Sequence, residues 1–229
     1  YEHEYILVLR KGGKRLFQSQ AQKENRSESA FFWEERNTWF SDVWEGLTGT
    51  RQALGGPKHR ERSAAFPIEV PYRLILMYSA YGDVVLDPFV GTGTTLAAAV
   101  AAGRSSVGVE ISPDLSTHLS QSVRSGIEQG AILAETRLKD HRDFIRQRLE
   151  NGKALKYHNE PHGLPVMTRQ EQRLCLQIPS GHQEVSERQF VVQHTTAPSE
   201  ASLKTPGNDG DCEPRQAAEK LGSIQPPAS

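Results

Sequence analysis

The sequence has little of what marks membrane, secreted or metal-binding proteins. Its 229 residues include two cysteines, Cys175 and Cys212, whose wide separation matches neither a disulfide framework nor a zinc-binding spacing. No apolar run approaches the roughly 20 residues of a membrane span, and the first residues do not resemble a signal peptide. We therefore expect a cytoplasmic protein without a metal site.

An overall excess of positive charge is also absent. The formal net charge of -1 is unlike that of a small, self-sufficient nucleic-acid-binding domain. A locally basic cleft is still compatible with DNA. The glycine-rich segment 48–63 is the candidate region for phosphate contacts, and a solvated loop is the alternative. Its basic residues are Arg51, Lys58, His59, Arg60 and Arg62.

The chain begins abruptly. Residues 5–9 are aliphatic and β-branched and precede a Lys-Gly-Gly sequence, which predicts a strand followed by a turn. A natural domain seldom opens inside a strand, so we expect the C-terminal part of a longer protein. A short N-terminal edge strand of a complete protein is the alternative. Residues 14–30 are polar and predict a solvated loop.

Aromatic residues are crowded into the segment 31–47, which contains all three tryptophans. This crowding predicts a core-lining segment, and an aromatic wall beside a base or ligand pocket is the alternative. The apolar spacing that follows, around Leu74 to Tyr78, predicts an amphipathic helix with Pro71 in its first turn.

The stretch DVVLDPFVGTGTTLAAAVAAGRSSVGVEIS, residues 83–112, carries the strongest pattern. It predicts a buried parallel strand at 84–86, a glycine turn, an alanine-rich helix at 96–102 and a second strand at 107–109. This order is typical of an α/β fold with a doubly wound, Rossmann-like sheet, in which ligands bind beyond the carboxyl ends of the strands. Glu110 follows the second strand, where an acid can accept hydrogen bonds from ribose hydroxyls.

The residues of the turn argue against a dinucleotide-binding site and against a P-loop. Leu96 occupies the third glycine position of a dinucleotide-binding motif, and no lysine follows the turn as in a P-loop. The carboxylate of Asp87 would repel phosphate and suits a ligand that carries an ammonium or sulfonium group. S-adenosylmethionine has the ribose, the amino acid and the positive sulfur that these residues require.

The sequence LDPFVGTGTT followed by GRSSVGVEIS resembles motifs I and II of the DNA amino-methyltransferases, and the segment ERSAAFPIEVPYRLILMYSAYGDVV is similar to their motif X. In the permuted, beta-class group of this family, motif X lies just before motif I. Residues 1 to about 115 match this later part of the permuted order. The resemblance implies a methyltransferase-type sheet, double-stranded DNA as partner, and methylation of adenine N6 or cytosine N4 within restriction-modification. A homodimer is also compatible with it.

The resemblance also assigns residues to the cofactor pocket. Phe89 would contact the adenosine, Thr94 the methionine end and Glu110 the ribose. The alternative for Phe66 and Phe89 is core packing, and the alternative for Asp87 is a helix cap. The cofactor-binding residues implied are Ala65, Phe66, Pro67, Asp87, Pro88, Phe89, Gly91, Gly93, Thr94 and Glu110.

Two departures from the family pattern matter. The catalytic sequence of the family, Asp-Pro-Pro-Tyr or Ser-Pro-Pro followed by Tyr or Trp, does not occur, so we assign no catalytic residue. In the permuted order it would lie upstream of Tyr1. Arg62-Ser63 replaces the usual His-Pro of motif X. A non-catalytic cofactor-binding or regulatory subunit is therefore the second hypothesis, and a small-molecule or RNA methyltransferase is the last.

The remainder predicts less. Residues 113–151 predict two helices separated at Gly126 and Gly130, and residues 153–168 a loop. Alternation on either side of Pro179 to Gly181 predicts a β-hairpin that turns there. The polar composition from Ala197 onward predicts disorder. We thus expect a cofactor-binding domain over 1–152, a hairpin extension over 153–196 and a disordered tail over 197–229.

Overall fold

The computed structural model describes residues 4–47, 66–186 and 189–198. The basic segment 48–63, Ala65 and nearly all of the tail predicted to be disordered lie outside these ranges. The helices are α1 (Gln20–Glu28), α2 (Trp33–Trp39), α3 (Glu69–Tyr78), α4 (Thr94–Ala101), α5 (Pro113–Ser116) and α6 (Leu119–Glu150), with a 3-10 turn at Arg169–Glu171. The strands are β1 (Val84–Asp87), β2 (Ser105–Gly108), β3 (Tyr157–Asn159), β4 (Leu164–Val166), β5 (Gln177–Ser186) and β6 (Gln189–Thr196).

The β1-α4-β2 unit confirms the predicted α/β fold. The two strands are parallel and in register from Val84 opposite Ser105 to Asp87 opposite Gly108. Helix α4 makes the crossover between them, and all its residues from Leu96 to Ala101 are buried. Its alanines allow this close packing because they add little bulk between the helix and the sheet.

The prediction that β1 is buried on both faces was wrong for the residues that the structure describes. Val84 and Leu86 are each 64% exposed, whereas α4 packs on the other face of the strand pair. Val107 and Val109 are exposed beside them. One face of this parallel pair is therefore apolar and open, which is unusual because parallel sheets are normally covered on both faces.

Helix α3 packs on α4 and forms the first core. Its Pro71 lies in the first turn, as predicted, and Tyr72, Ile75 and Leu76 are buried against the alanines of α4. Trp39 from α2 completes this core. The aromatic segment therefore lines the interior, which confirms the core-lining prediction for its buried members.

Helix α6 is continuous over 32 residues, so the prediction of two helices was wrong. Gly126 and Gly130 are both buried where another element approaches. A Cβ on Gly126 would lie 2.7 Å from Cα of Ala97, and one on Gly130 would lie 2.5 Å from Cδ of Pro179. The two glycines thus admit neighbouring chain rather than end the helix. Within the described ranges, no helix is both long and apolar enough to cross a bilayer.

The N-terminal segment differs from its prediction. Residues 5–9 are exposed and form no strand, because neither β1 nor β2 pairs with them. Residues 20–28, which we expected in a loop, form α1. Ser19 and Gln22 make a reciprocal capping box in which each side chain accepts a backbone hydrogen bond at 3.2 Å. This local cap starts a helix whose polar composition had indicated a loop.

The C-terminal part contains two antiparallel strand pairs. The pair β3–β4 occupies residues 157–166, so the loop prediction was wrong there. The pair β5–β6 confirms the predicted hairpin but not its turn, because Pro179 to Gly181 form an irregularity inside β5. Strand β5 instead continues to Ser186, and β6 begins at Gln189. Ala197 is buried and donates to the carbonyl of Leu176, which shows that order extends into the predicted tail.

A second core joins the two halves of the chain. Phe32 is fully buried among Ala134 and Leu138 of α6 and Val166, Leu174 and Leu176 beyond it. The buried Arg137 of α6 pairs with Glu35 of α2 at 2.5 Å. Packing therefore crosses the predicted boundary near residue 152, and the division into domains stays a prediction.

Candidate functional site

The glycine turn lies beyond the carboxyl end of β1. The backbone ladder continues past the two strands, because the Val109 N–H donates to Asp87 at 2.9 Å and the Val90 N–H donates to Val109 at 3.0 Å. The chain then reverses through Gly91 and Gly93, whose φ angles are 56° and 94°. Glycine adopts this left-handed conformation without strain. The turn delivers Thr94 to the first position of α4.

Glu110 connects the end of β2 to this turn. One carboxylate oxygen accepts a hydrogen bond from the Gly91 N–H at 2.8 Å, and the other accepts one from the Ser112 N–H at 2.8 Å. A carboxylate has about four acceptor sites, so both oxygens keep capacity for further donors. The acid and the glycine turn, which are 19 residues apart in sequence, are thus in direct contact.

The two glycines have different surroundings. A Cβ built on Gly91 has no neighbour closer than the carbonyl oxygen of Phe89 at 4.0 Å, so this side of the turn is open. A Cβ on Gly93 would lie 2.9 Å from Cβ of Ser122 and 3.2 Å from Leu119. Gly91 therefore leaves room for a ligand to approach, whereas Gly93 leaves room for helix α6.

Asp87 and Phe89 lie at the start of the turn. The Asp87 carboxylate accepts a hydrogen bond from the Phe89 N–H at 3.0 Å, which shapes the turn but does not cap α4. The Phe89 ring is 88% exposed, and Pro88 between them is also exposed. Core packing, the alternative considered for Phe89, is thus not its role in the structure described. An exposed ring beside an open turn can contact a ligand.

The motif X residues lie at the start of α3. Phe66 is 43% exposed, so core packing does not account for it either. Pro67 is half-buried, and its carbonyl accepts from the Val70 N–H at 3.1 Å, which begins the helix. Ala65 lies outside the described residues. Their place at the methionine end of a pocket remains a prediction.

Ser122 is a neighbour of the turn that sequence reasoning did not find. Its hydroxyl donates to the backbone carbonyl of Thr92, between the two glycines. It stands 30 residues further along the chain, in a polar helix with no recognisable motif. Only the packing of α6 on α4 brings it to the site, so no local sequence pattern marks it.

Comparison with known proteins identifies the family. The family model described as DNA methylase matches residues 1–121, which is more than half of the chain. The chain belongs to the DNA methylase family. The resemblance to DNA amino-methyltransferases is thereby confirmed.

Curated relatives agree with this assignment. The chain is 45% identical over 190 residues to the Type II methyltransferase M.MthZI of Methanothermobacter thermautotrophicus, covering 83% of this chain and 52% of the relative. It is 46% identical over 129 residues to the Type II methyltransferase M.MjaI of Methanocaldococcus jannaschii, covering 56% of this chain and 40% of the relative. The chain thus spans about half the length of these relatives.

The first of these similarities continues past the family match. A shared stretch of 190 residues cannot fit within residues 1–121, so it includes α6 and part of the region that follows. Among solved structures, the protein TTHA0409 of Thermus thermophilus in complex with S-adenosyl-L-methionine is 34% identical. That match covers 50% of this chain and 40% of the other, with a TM-score of 0.39.

Proposed function

We propose that this chain is the cofactor-binding part of a DNA methyltransferase that uses S-adenosylmethionine and modifies an exocyclic amine, adenine N6 or cytosine N4. The contact between Glu110 and Gly91 carries the proposal. It brings an acid with spare acceptor capacity beside an open glycine turn at the carboxyl end of a parallel strand, where doubly wound folds bind nucleotides. The methylase family match supports the same reaction class.

The residues around the turn would divide the binding of the cofactor. Glu110 would accept hydrogen bonds from the ribose hydroxyls, and the exposed ring of Phe89 would pack on the adenosine. Asp87 would place negative charge near the positively charged end of the ligand. Gly91 would let the backbone approach, and Thr94 would contribute a donor at the start of α4. Phe66 and Pro67, with Ala65, would flank the methionine end.

When bound, S-adenosylmethionine supplies an electrophilic methyl group for in-line attack by the exocyclic amine. The contribution of this chain would be to position that methyl group and to exclude water from it. The Pro-Pro-Tyr type of sequence that holds the target base in this family is absent from the 229 residues. We therefore expect weak cofactor binding and no turnover by the chain alone.

The open apolar face of β1 and β2 supports the proposal that this chain is only part of the enzyme. Val84, Leu86, Val107 and Val109 expose their side chains on β1 and β2 and just past them. Among the residues that the structure describes, none covers this apolar face as parallel sheets require. The chain matches only about half of the length of M.MthZI. The other half is long enough to supply further strands to this sheet and helices that cover its open face. A complete enzyme would then act on double-stranded DNA in the cytoplasm, with a homodimer as one assembly to test.

Titration calorimetry with S-adenosylmethionine tests the proposal directly. The chain alone should bind weakly, and Gly91→Val should abolish the binding because the side chain would fill the open face of the turn and strain its positive φ. Gly152→Val is the matched control, because Gly152 also has a positive φ and open surroundings but lies at the end of α6. Equal affinity in the Gly91 variant and the wild type would overturn the assignment of the turn.

The part of M.MthZI that lies outside the match provides a second test. Mixed with this chain, that fragment should raise the affinity for S-adenosylmethionine and allow methylation, read as N6-methyladenine or N4-methylcytosine by mass spectrometry of the nucleosides. Product formation that depends on the added fragment would support the methyltransferase, and its absence would contradict it.

A non-catalytic cofactor-binding or regulatory subunit is the second candidate, and the same half-length and open sheet face favour it. The two candidates differ in the coding sequence upstream of Tyr1. An in-frame Asp- or Ser-Pro-Pro-Tyr sequence there selects the methyltransferase, whereas a stop codon followed by a start site immediately before Tyr1 selects the subunit.

A further inference from the structure

We infer that Ser122 is a positioning residue for the glycine turn, through which helix α6 and the hairpin packed on it set the affinity for the cofactor. The inference rests on the proposed function, because the turn is where the cofactor would bind. It concerns a residue outside the motifs and beyond the family match, which ends at residue 121.

Two side chains hold the turn. Glu110, just past β2, accepts the hydrogen bond of the Gly91 N–H. The hydroxyl of Ser122 in α6 donates to the carbonyl of Thr92, the next residue along the chain. Two peptide groups of the turn, Val90–Gly91 and Thr92–Gly93, are thus each bonded to a side chain from a different part of the chain.

Steric contact reinforces the hydrogen bond from Ser122. Gly93 is buried, and a Cβ there would lie within 3.2 Å of Leu119 and closer still to Ser122. The first turn of α6 therefore packs directly on the backbone of the glycine turn. Movement of α6 along its axis would displace Thr92 and Gly93 and, with them, the open Gly91 that precedes them.

Helix α6 is in turn fixed by the elements behind it. Gly126 packs against the backbone of Ala97 in α4, and Gly130 packs against Pro179 in β5. The partner strand β6 reaches α4 as well, because Nε2 of His194 lies 2.8 Å from the carbonyl of Val100. The contacts form a continuous path from the hairpin through α6 to the cofactor turn. This path gives the region after residue 121 a role in binding.

Ser122→Ala tests the inference, and Ser125→Ala is the matched control. The Ser125 hydroxyl belongs to the same helix but accepts a hydrogen bond from the Gln129 amide, at 2.7 Å, and does not touch the turn. Calorimetry should show S-adenosylmethionine binding about three- to tenfold weaker for Ser122→Ala, the effect expected for loss of one hydrogen bond. Ser125→Ala should bind like the wild type, and both variants should unfold within a few degrees of it.

The amide signals of Gly91 and Gly93 provide a readout without cofactor. In nuclear magnetic resonance spectra, Ser122→Ala should shift both signals and speed their hydrogen exchange, whereas Ser125→Ala should leave them in place. A structural role confined to the stability of α6 would not single out these two amides. Unshifted glycine signals in Ser122→Ala would overturn the inference.

The two readouts separate the inference from the proposed function. If the wild type binds and Ser122→Ala binds equally well, the positioning role is wrong and the proposed function stands. If the wild type shows no binding at any cofactor concentration, alone or with the M.MthZI fragment, the proposed function fails. The inference fails with it as a statement about cofactor affinity, whatever the glycine signals show about the turn.

Discussion

Glu110 and Gly91 are joined by a hydrogen bond of 2.8 Å from the glycine N–H to the carboxylate, across the gap between the end of β2 and the turn after β1. The second carboxylate oxygen accepts from Ser112. The same side chain therefore holds the turn and presents negative charge to the place where we propose that ribose binds.

Glu110→Gln should weaken S-adenosylmethionine binding by at least about tenfold. An amide has one oxygen, so its NH2 group would face a backbone N–H of Gly91 or Ser112 and lose a charge-assisted hydrogen bond, worth about 1.5–3 kcal/mol. Calorimetry gives the affinity. Asp114→Asn, the same change at an exposed position nearby, should have no measurable effect. Wild-type affinity in Glu110→Gln would contradict the ribose role.

Gly126→Ala should destabilise the protein by about 1–3 kcal/mol, although alanine is the better helix former by about 1 kcal/mol. The new methyl group would meet the backbone of Ala97, which cannot rotate away as a side chain does. Urea unfolding measures the change. Gln121→Ala, at an exposed position of α6, should stay within about 0.5 kcal/mol of the wild type. A stabilised Gly126→Ala would show that α4 and α6 do not pack as described.

The sequence predicted the β1-α4-β2 unit well because short stretches of sequence specify each of its elements. The apolar runs, the glycine pair and the alanine-rich helix each specify an element within a few residues. Pro71 marked the start of α3 for the same reason. The adjacency of Glu110 and the turn followed from the rule that parallel strands end at one edge of a sheet.

The local capping box of α1 was overlooked, but the other errors arose where distant packing decides the structure. Gly126 and Gly130 looked like helix ends, but each is placed by a partner from elsewhere in the chain, Ala97 or Pro179. Pro179 looked like a turn, but it lies in β5 at an irregularity opposite β6. Ser122 had no pattern at all, because its contact with Thr92 depends on the packing of α6.

Glu35→Gln should lower the free energy of unfolding by about 3–5 kcal/mol. The Arg137 guanidinium donates to both Glu35 oxygens, at 2.5 and 2.8 Å, in a buried position between α2 and α6. Despite burial, the neighbouring carboxylate raises the pKa of Arg137, so the arginine stays charged and would be left without its counter-ion. Chemical denaturation gives the value.

The exposed pair of Lys139 and Asp143 on α6 is the control for that measurement. Asp143→Asn should cost less than about 1 kcal/mol, since exposed ion pairs contribute little. Addition of 0.5–1 M salt, about three to seven times the physiological ionic strength, should hardly change the penalty of Glu35→Gln because the buried pair is screened poorly. Equal penalties for the two variants would contradict the burial of the Arg137 pair.

Acid should destabilise the protein through His162, which is buried and accepts a hydrogen bond at Nε2 from the Leu176 N–H, at 2.9 Å. Burial lowers its pKa from 6.5 to about 4, so the unfolded chain binds a proton more readily than the folded protein. The free energy of unfolding should therefore be at its full value above about pH 7. It should fall by up to about 3 kcal/mol between pH 6.5 and 4. Burial also lowers the pKa of His194, which adds to this fall in the free energy of unfolding.

His162→Gln should flatten the curve of unfolding free energy against pH by the contribution of His162 alone. His158→Gln, at an exposed position, is the control. Parallel pH curves for the wild type and His162→Gln would rule out a neutral, buried His162 in the folded protein.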